Sequence, residues 1–205
     1  MKWLKGILDS SSKDYGNIIY LTEDDYGKLM VIDYGESRTL NFDSSFEQSP
    51  MLINQPCKLV HPYTQLMLLV LAFIQPSHIT LFGLGGGSML RALHHILPNC
   101  FFRTLELRQK VVDISYEYFD IPQDDQRVEI VVRDALTEMN SCESNSTNII
   151  FSDMYDAYQM IPEQVQKEFL GNCARLLTSN GWLVINLHNL PQDKSELYNL
   201  LLESF

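Results

Sequence analysis

The stretch that decides the fold is ITLFGLGGGSMLRALHHIL, residues 79–97, in which a short apolar run ends in a glycine-rich loop. Four of the five residues from Gly83 to Gly87 are glycine, and an amphipathic helical pattern begins near Ser88. Glycine permits positive φ angles and lets another molecule approach the backbone closely. The free N–H groups and the positive dipole end of the following helix favour electron-rich groups. This strand–loop–helix unit predicts a ligand site in an α/β sheet.

The same alternation of strand and helix patterns continues to the end of the chain. Five apolar strand patterns are ITLFGLG, CFFRTLEL, VEIVVRD, NIIFSDM and GWLVINLH, and helical or polar segments separate them. Such an alternation predicts a parallel sheet that is covered on both faces. In sheets of this kind, ligands bind in the crevice beyond the carboxyl ends of the strands. The polar residues at or just past these strand ends are Glu106, Asp134, Asp153, Asp156 and His188.

The first part of the chain has a different pattern. Short strand patterns with turn residues between them, NIIYLTE, KLMVIDYG and SRTLNFD, predict a small antiparallel meander. A helix then begins at about His61 and stops before Pro76. We therefore expect two domains, a small β domain at residues 1–60 and an α/β domain at residues 61–205.

Composition excludes several classes of protein. The formal net charge is −11, with 26 acidic and 15 basic residues, and this disfavours a nucleic-acid or anionic-membrane partner. The four cysteines form no Cys-x-x-Cys pair and have no zinc-like spacing to histidine, so we expect no metal. The longest apolar run, residues 66–74, is too short to cross a bilayer, and the N-terminal apolar run is too short for a signal peptide. These observations together favour a cytoplasmic protein.

The glycine loop alone fits either a dinucleotide or a nucleoside cofactor. It lacks the final Gly or Ala of the full dinucleotide pattern, and no Gly-Lys-Ser/Thr follows as in a P-loop. Glu106 ends the second strand, about 20 residues after the loop, where a carboxylate accepts ribose hydroxyls. Asp134 follows the third strand, where it can accept the exocyclic amine of an adenine. The pair favours an S-adenosylmethionine (AdoMet) type of nucleoside over a dinucleotide.

From about Tyr15 to its end, the chain resembles the spermidine synthase family, which are aminopropyltransferases on a class I methyltransferase fold. The resemblance is carried by the glycine loop and by LELRQKVVDISYEYFDIPQDDQRVEIVVRDAL, NIIFSDMYDA and LLTSNGWLVINLH. The segment DDQRVEIVVRDA is similar to the family's DDPRVEV…GDA and is more specific than any glycine loop. GKLMVIDYGESRTL resembles the family's small β domain. The resemblance implies a Rossmann-like, mainly parallel sheet preceded by a small antiparallel β domain.

The resemblance also implies roles for individual residues. The cofactor-binding residues would be Gly83, Gly85, Glu106, Asp134 and Ala135. Asp153 would be the catalytic carboxylate that deprotonates or orients the attacking amine. The substrate-binding residues would be Asp156, Tyr155 and Tyr63. The cosubstrate would be decarboxylated AdoMet or AdoMet itself, and the substrate a small polyamine-type amine.

The chain departs from the family pattern in its amine-binding half. The family's loop reads GGGDGG, and its Asp, which binds the amine end of the aminopropyl cosubstrate, falls at Gly86 here. The family's YHE reads YTQ at residues 63–65, and its D-x-x-D-P-x-G-P lacks both proline and glycine in DMYDAYQM. Three functions remain open: aminopropyl transfer, methyl transfer from AdoMet, and nucleoside binding or protein interaction without catalysis.

The end of the chain carries one further expectation. A class I methyltransferase fold ends with a helix and an antiparallel strand pair after the fifth strand, whereas the last pattern here is the helix SELYNLLLESF. We therefore expect residues 61–205 to lack the last strand pair. An open edge strand invites pairing with another chain, so we also expect a homodimer.

Overall fold

The structure, a computed structural model, describes residues 16–43 and 49–205. Residues 1–15 and 44–48 of the predicted small β domain lie outside the described residues. The first sheet is antiparallel, with four strands in the order β1-β2-β3-β4. Its strands are β1 (Asn17–Asp24), β2 (Gly27–Tyr34), β3 (Ser37–Phe42) and β4 (Ser49–Leu52). The predicted antiparallel meander is therefore present.

The second sheet is parallel and has five strands in the order β7-β6-β5-β8-β9. These strands are β5 (His78–Phe82), β6 (Phe101–Glu106), β7 (Val128–Val132), β8 (Thr147–Ser152) and β9 (Leu177–Ile185). The chain runs outward from the central strand β5 to β7 and then returns to β8 on the other side of β5. The strand order thus reverses between β5 and β8, and a ligand crevice is expected at that point. The predicted fold class is confirmed.

Four helices lie between strands of the parallel sheet, whereas the first helix precedes the sheet and the last follows β9. They are α1 (Pro62–Met67), α2 (Ser88–Ile96), α3 (Gln109–Tyr118), α4 (Ala135–Glu138), α5 (Lys167–Leu176) and α6 (Glu196–Ser204). The expectation of one helix from His61 to Pro76 is wrong, because α1 gives way to a 3-10 helix at Leu68–Ala72. A tightened last turn of this kind is common at helix ends, and Pro76 cannot continue the helix. Among the residues described, no helix is both long and apolar enough to span a membrane.

Side chains of the parallel sheet alternate between its two faces, so each face has its own core. One core is made of residues that include Ile79, Leu81, Phe102, Leu90, Leu93 and Val112. The other includes Phe82, Leu105, Ile150, Phe169, Leu170 and Cys173. A third core packs the small sheet against α3 and includes Leu29, Val31, Leu40, Val111, Ile114 and Phe119. Because this third core joins the two predicted domains, the boundary at residue 60 stays a prediction.

Two arginines tie the small sheet to α3 and to the loop before it. Arg108 donates to both carboxylate oxygens of Asp24, at 3.1 and 2.7 Å, and to the carbonyl of Gly27 at 2.8 Å. Arg38 donates to the carbonyl of Tyr118 at 3.1 Å, at the end of α3. The small sheet is thereby held beside the carboxyl ends of the parallel strands.

Candidate functional site

The glycine loop lies between β5 and α2, at the point where the strand order reverses. The N–H of Gly87 donates to the carbonyl of Leu84 at 2.8 Å, which closes a tight turn. Gly83 has a φ of 93°, and a Cβ atom there would lie 2.5 Å from the carbonyl oxygen of Asp153. Only glycine satisfies both conditions without strain. The predicted loop residue Gly83 is thus in direct contact with the backbone of the predicted catalytic residue.

Glu106 lies at the end of β6, beside the same loop. Its carboxylate accepts the N–H of Leu84 at 2.9 Å and the N–H of Arg108 at 3.0 Å. Burial raises the pKa of Glu106, while these bonds and one from the N–H of Gly85 act in the opposite direction. A carboxylate has about four acceptor positions, so Glu106 can still accept a hydrogen bond from a ligand hydroxyl. The role of Glu106 in binding a ribose stays a prediction.

Asp134 is the residue before α4, at the carboxyl end of β7. Its side chain accepts the N–H of Leu136 at 3.0 Å and the hydroxyl of Thr137 at 3.2 Å, so it caps this helix. The side chain is exposed, and the neighbouring Ala135 is buried. Capping by Asp satisfies helix N–H groups that lack a partner within the helix. The role of Asp134 and Ala135 in binding adenine stays a prediction.

Asp153 follows β8 and lies at the centre of a small hydrogen-bonded group. Its Oδ2 accepts the hydroxyl of Tyr63 at 3.1 Å, and its Oδ1 accepts the side-chain amide of Asn186 at 2.8 Å. The structure therefore brings together two predicted residues, Tyr63 and Asp153. Asn186 was missed in the sequence, although it directly follows β9 and so occupies the same kind of strand-end position as Asp153.

The environment of Asp153 favours a carboxyl group that binds a proton more readily than usual. Burial raises its pKa, and the donors Asn186 and Tyr63 together with the nearby His61 oppose this rise. Burial also raises the pKa of the Tyr63 hydroxyl, and the adjacent Asp153 carboxylate adds to this effect. Tyr63 therefore keeps its proton and acts as a donor. A base with a raised pKa has a larger driving force for taking a proton.

The segment after Asp153 forms a tight hairpin, closed by a bridge between Tyr155 and Met160. The hydroxyl of Tyr155 donates to the carbonyl of Asn186 at 3.3 Å, which places this side chain beside the Asp153 group. Asp156 is exposed, and its Oδ1 accepts the N–H groups of Tyr158 and Gln159 at 2.6 and 2.8 Å. The visible contacts of Asp156 therefore stabilise its own turn. Substrate binding by Tyr155 and Asp156 stays a prediction.

Gly86 occupies the position where the resemblance places an acidic residue. It is buried, and a Cβ atom there would lie 3.1 Å from the Phe119 ring and 3.1 Å from the Ser49 side chain. A larger side chain would require these neighbours to move. The loop consequently carries no carboxylate at this point.

Two further observations delimit the site. Within residues 16–43 and 49–205, no three His, Cys, Asp or Glu side chains cluster so that they could hold a metal ion. An open cavity of about 220 Å³, lined by residues that include His78, Phe101 and Arg103, lies at the amino-terminal ends of β5 and β6. This cavity is at the opposite end of the strands from Asp153. We therefore place the candidate site at the carboxyl ends of the parallel strands, where the polar groups converge.

Comparison with known proteins identifies relatives of this chain. No protein-family model matches the chain. A polyamine aminopropyltransferase from Neisseria meningitidis is 31% identical over 163 residues, which cover 78% of this chain and 62% of that protein. The resemblance to the spermidine synthase family is confirmed. The chain spans less than two thirds of the length of this relative. An eEF1A lysine and N-terminal methyltransferase from Xenopus laevis is 28% identical over 139 residues, which cover 63% of this chain and 20% of that protein.

Solved structures show the same fold. A probable spermidine synthase from Corynebacterium glutamicum superposes with a TM-score of 0.72 at 22% identity, covering 82% of this chain and 63% of that one. A spermidine synthase in complex with the transition-state analogue AdoDATO gives a TM-score of 0.73 at 17% identity, covering 92% and 65% of the two chains. At these sequence identities, structural similarity to spermidine synthases establishes only the fold.

Proposed function

We propose that this protein transfers an aminopropyl group from decarboxylated AdoMet to a polyamine-type amine. The observation that carries the proposal is the group formed by Asp153, Tyr63 and Asn186, which lies directly against Gly83 of the glycine loop. A base for an amine is thus adjacent to the predicted nucleoside site. The similarity to a polyamine aminopropyltransferase supports the same activity.

The nucleoside end of the cosubstrate would lie across the ends of β5, β6 and β7. Glu106, already fixed by loop N–H groups, would accept the ribose hydroxyls. Gly83 and Gly85 would let the ribose and the sulfonium approach the backbone. Asp134 would accept the adenine amine, with Ala135 beside the ring. This arrangement would place the reactive methylene carbon near Asp153.

The amine would be activated by Asp153. An amine that is protonated at neutral pH is not a nucleophile, so the Asp153 carboxylate would accept its proton. The free nitrogen would then attack the methylene carbon beside the sulfonium; a C–N bond forms as the C–S bond breaks, and its electron pair goes to sulfur. The products are the elongated amine and methylthioadenosine. The protein contributes mainly through positioning and proton transfer.

Three residues would hold the rest of the amine. Tyr63 bonds to Asp153 and Tyr155 bonds to the carbonyl of Asn186, so both aromatic side chains would be near the amine. Aromatic faces attract ammonium groups and pack against their alkyl chains. Asp156 would supply a second carboxylate for the distal ammonium. The acidic net charge of −11 also favours a cationic substrate.

A second candidate function is methyl transfer from AdoMet, and one observation favours it. The surroundings of Gly86 are the side chains of Ser49 and Phe119, without a carboxylate on the loop. A carboxylate there would attract the ammonium of decarboxylated AdoMet and repel the carboxylate of AdoMet. Its loss is compatible with AdoMet as the cosubstrate. The similarity to a lysine and N-terminal methyltransferase points the same way.

The proposal includes a homodimer in the cytoplasm. In the part of the chain that the structure describes, β9 is an edge strand and pairs with β8 alone. Trp182 on β9 is 44% exposed and stacks on Phe73, which is 71% exposed, at 5.4 Å between ring centroids. An apolar surface beside an open strand edge favours association. Sedimentation equilibrium of the purified protein tests the dimer.

The activity is tested by thermal stability with decarboxylated AdoMet, AdoMet and methylthioadenosine in parallel. A ligand at about 100 times its dissociation constant stabilises the folded state by about 2.7 kcal/mol, a readily measured shift. We expect the largest shift with decarboxylated AdoMet, followed by product formation when putrescine-like amines are added. A larger shift with AdoMet would favour the methyltransferase. The absence of any shift would contradict both and favour a protein without catalysis.

A further inference from the structure

Arg91 is a buried cation on α2, directly behind the glycine loop. Its side chain is 2% exposed, and no ion pair within residues 16–43 and 49–205 includes it. Its guanidinium instead donates to three backbone carbonyls. Nε donates to Pro56 at 2.9 Å, and Nη1 donates to Phe119 at 2.7 Å and to Gly86 at short range.

These three carbonyls belong to segments that are far apart in sequence. Pro56 lies between β4 and α1, Gly86 lies in the glycine loop, and Phe119 follows α3. Burial lowers the pKa of Arg91 to about 10, so it remains charged at neutral pH. A buried charge is expensive unless it is hydrogen-bonded, and here carbonyl groups supply those bonds. An apolar side chain at position 91 would avoid the free-energy cost of burying a charge. The presence of an arginine there therefore indicates a role beyond filling space.

The glycine loop next to Arg91 is a segment that needs to be held in place. Glycine loses more conformational freedom on folding than any other residue, and this loop has four glycines in five positions. Leu84 and Gly85 direct their N–H groups at Glu106, and the Gly87 N–H closes the turn onto Leu84. A loop with so few side chains has little packing of its own to hold this arrangement. The bond from Arg91 to the Gly86 carbonyl fixes the peptide plane in the middle of the turn.

We propose that Arg91 is a positioning residue for the glycine loop. It holds the Gly86 carbonyl against the end of α3 and the segment after β4, and so keeps the loop N–H groups directed at Glu106. The inference rests on the proposed function only in taking this loop as the nucleoside site. Arg91 acts through the backbone and does not contact the nucleoside.

Arg38 provides a matched control for the structural part of this role. It donates to the carbonyl of Tyr118, the residue next to Phe119, so both arginines bind the end of α3. Its remaining bonds, at 2.7 and 3.0 Å, go to Asp33 on the small sheet rather than to the glycine loop. Substitution of either arginine should destabilise the end of α3, and only substitution of Arg91 should release the loop.

The test compares Arg91→Met and Arg91→Lys with Arg38→Met. Amide hydrogen exchange is measured on the folded proteins for peptides that cover residues 82–90. Because hydrogen bonds to a charged donor are among the stronger ones, we expect exchange in the loop to rise at least about tenfold in both Arg91 variants. We expect no change there in Arg38→Met. If Arg91→Met does not fold, Arg91→Lys, which keeps the charge but not the three-way geometry, carries the test.

The affinity for methylthioadenosine is measured on the same variants by calorimetry. We expect at least about a tenfold loss in the Arg91 variants and none in Arg38→Met. Unchanged loop exchange in the Arg91 variants, or an equal rise in Arg38→Met, would overturn the proposal. If the unsubstituted protein binds no nucleoside, the proposed function fails, and the exchange data still decide the role of Arg91.

Discussion

Gly83→Ala should disrupt both the fold and the site, because the new methyl group meets the backbone of Asp153. The φ of Gly83 is 93°, and positive φ costs a residue with a Cβ about 1–2 kcal/mol. The Cβ atom would lie 2.5 Å from the Asp153 carbonyl oxygen, and relieving such a contact costs about 1–3 kcal/mol more. We therefore expect a loss of about 2–5 kcal/mol in the free energy of unfolding. The movement that relieves the contact also displaces Asp153, so turnover should fall.

Substitutions of two other glycines serve as controls, because they test the cost of a positive φ without a steric clash. Gly35 has a φ of 60° with nothing within 4 Å of its Cβ position, and Gly85 has a φ of 53° with its nearest atom at 3.4 Å. Gly35→Ala and Gly85→Ala should each cost only about 1–2 kcal/mol. Urea unfolding followed by circular dichroism measures the difference, and about 2 kcal/mol corresponds to roughly 1 M in the midpoint. If Gly83→Ala costs no more than Gly35→Ala, the contact between Gly83 and Asp153 is refuted.

Three further substitutions address the proposed chemistry. Tyr63→Phe removes a hydrogen-bond donor that lowers the pKa of Asp153, so this pKa should rise and the acidic limb of the kcat/KM profile should move to higher pH. Tyr155→Phe removes no bond to Asp153 and should move the acidic limb less. Asp134→Ala should weaken nucleoside binding and also cost about 1 kcal/mol of stability, because Asp134 caps α4. Asp134→Ser should restore the cap but not the binding, and recovery of nucleoside affinity in Asp134→Ser would contradict adenine recognition. Asp153→Asn should abolish amine transfer while methylthioadenosine still binds in calorimetry, and intact turnover would exclude Asp153 as the base.

Local sequence patterns were sufficient to locate most of the elements. The alternation of apolar strands with helical segments predicts five strands, and each begins within a few residues of its observed position; β9 begins at Leu177, earlier than the GWLVINLH pattern indicates. The helix after His61 was predicted too long, because an apolar run carries no signal that separates an α-helix from a 3-10 helix. Tertiary packing decides between the two kinds of helix.

The sequence by itself determined the order of the elements, the glycine loop and the set of polar residues at the strand ends. These follow from periodicity and backbone chemistry, which act over a few residues. Only the tertiary structure decided which of those residues meet. The Tyr63–Asp153 bond joins residues 90 positions apart, and the Asn186–Asp153 bond requires β9 to lie beside β8 in the observed register. Such contacts depend on strand order and register, which result from the packing of the whole sheet.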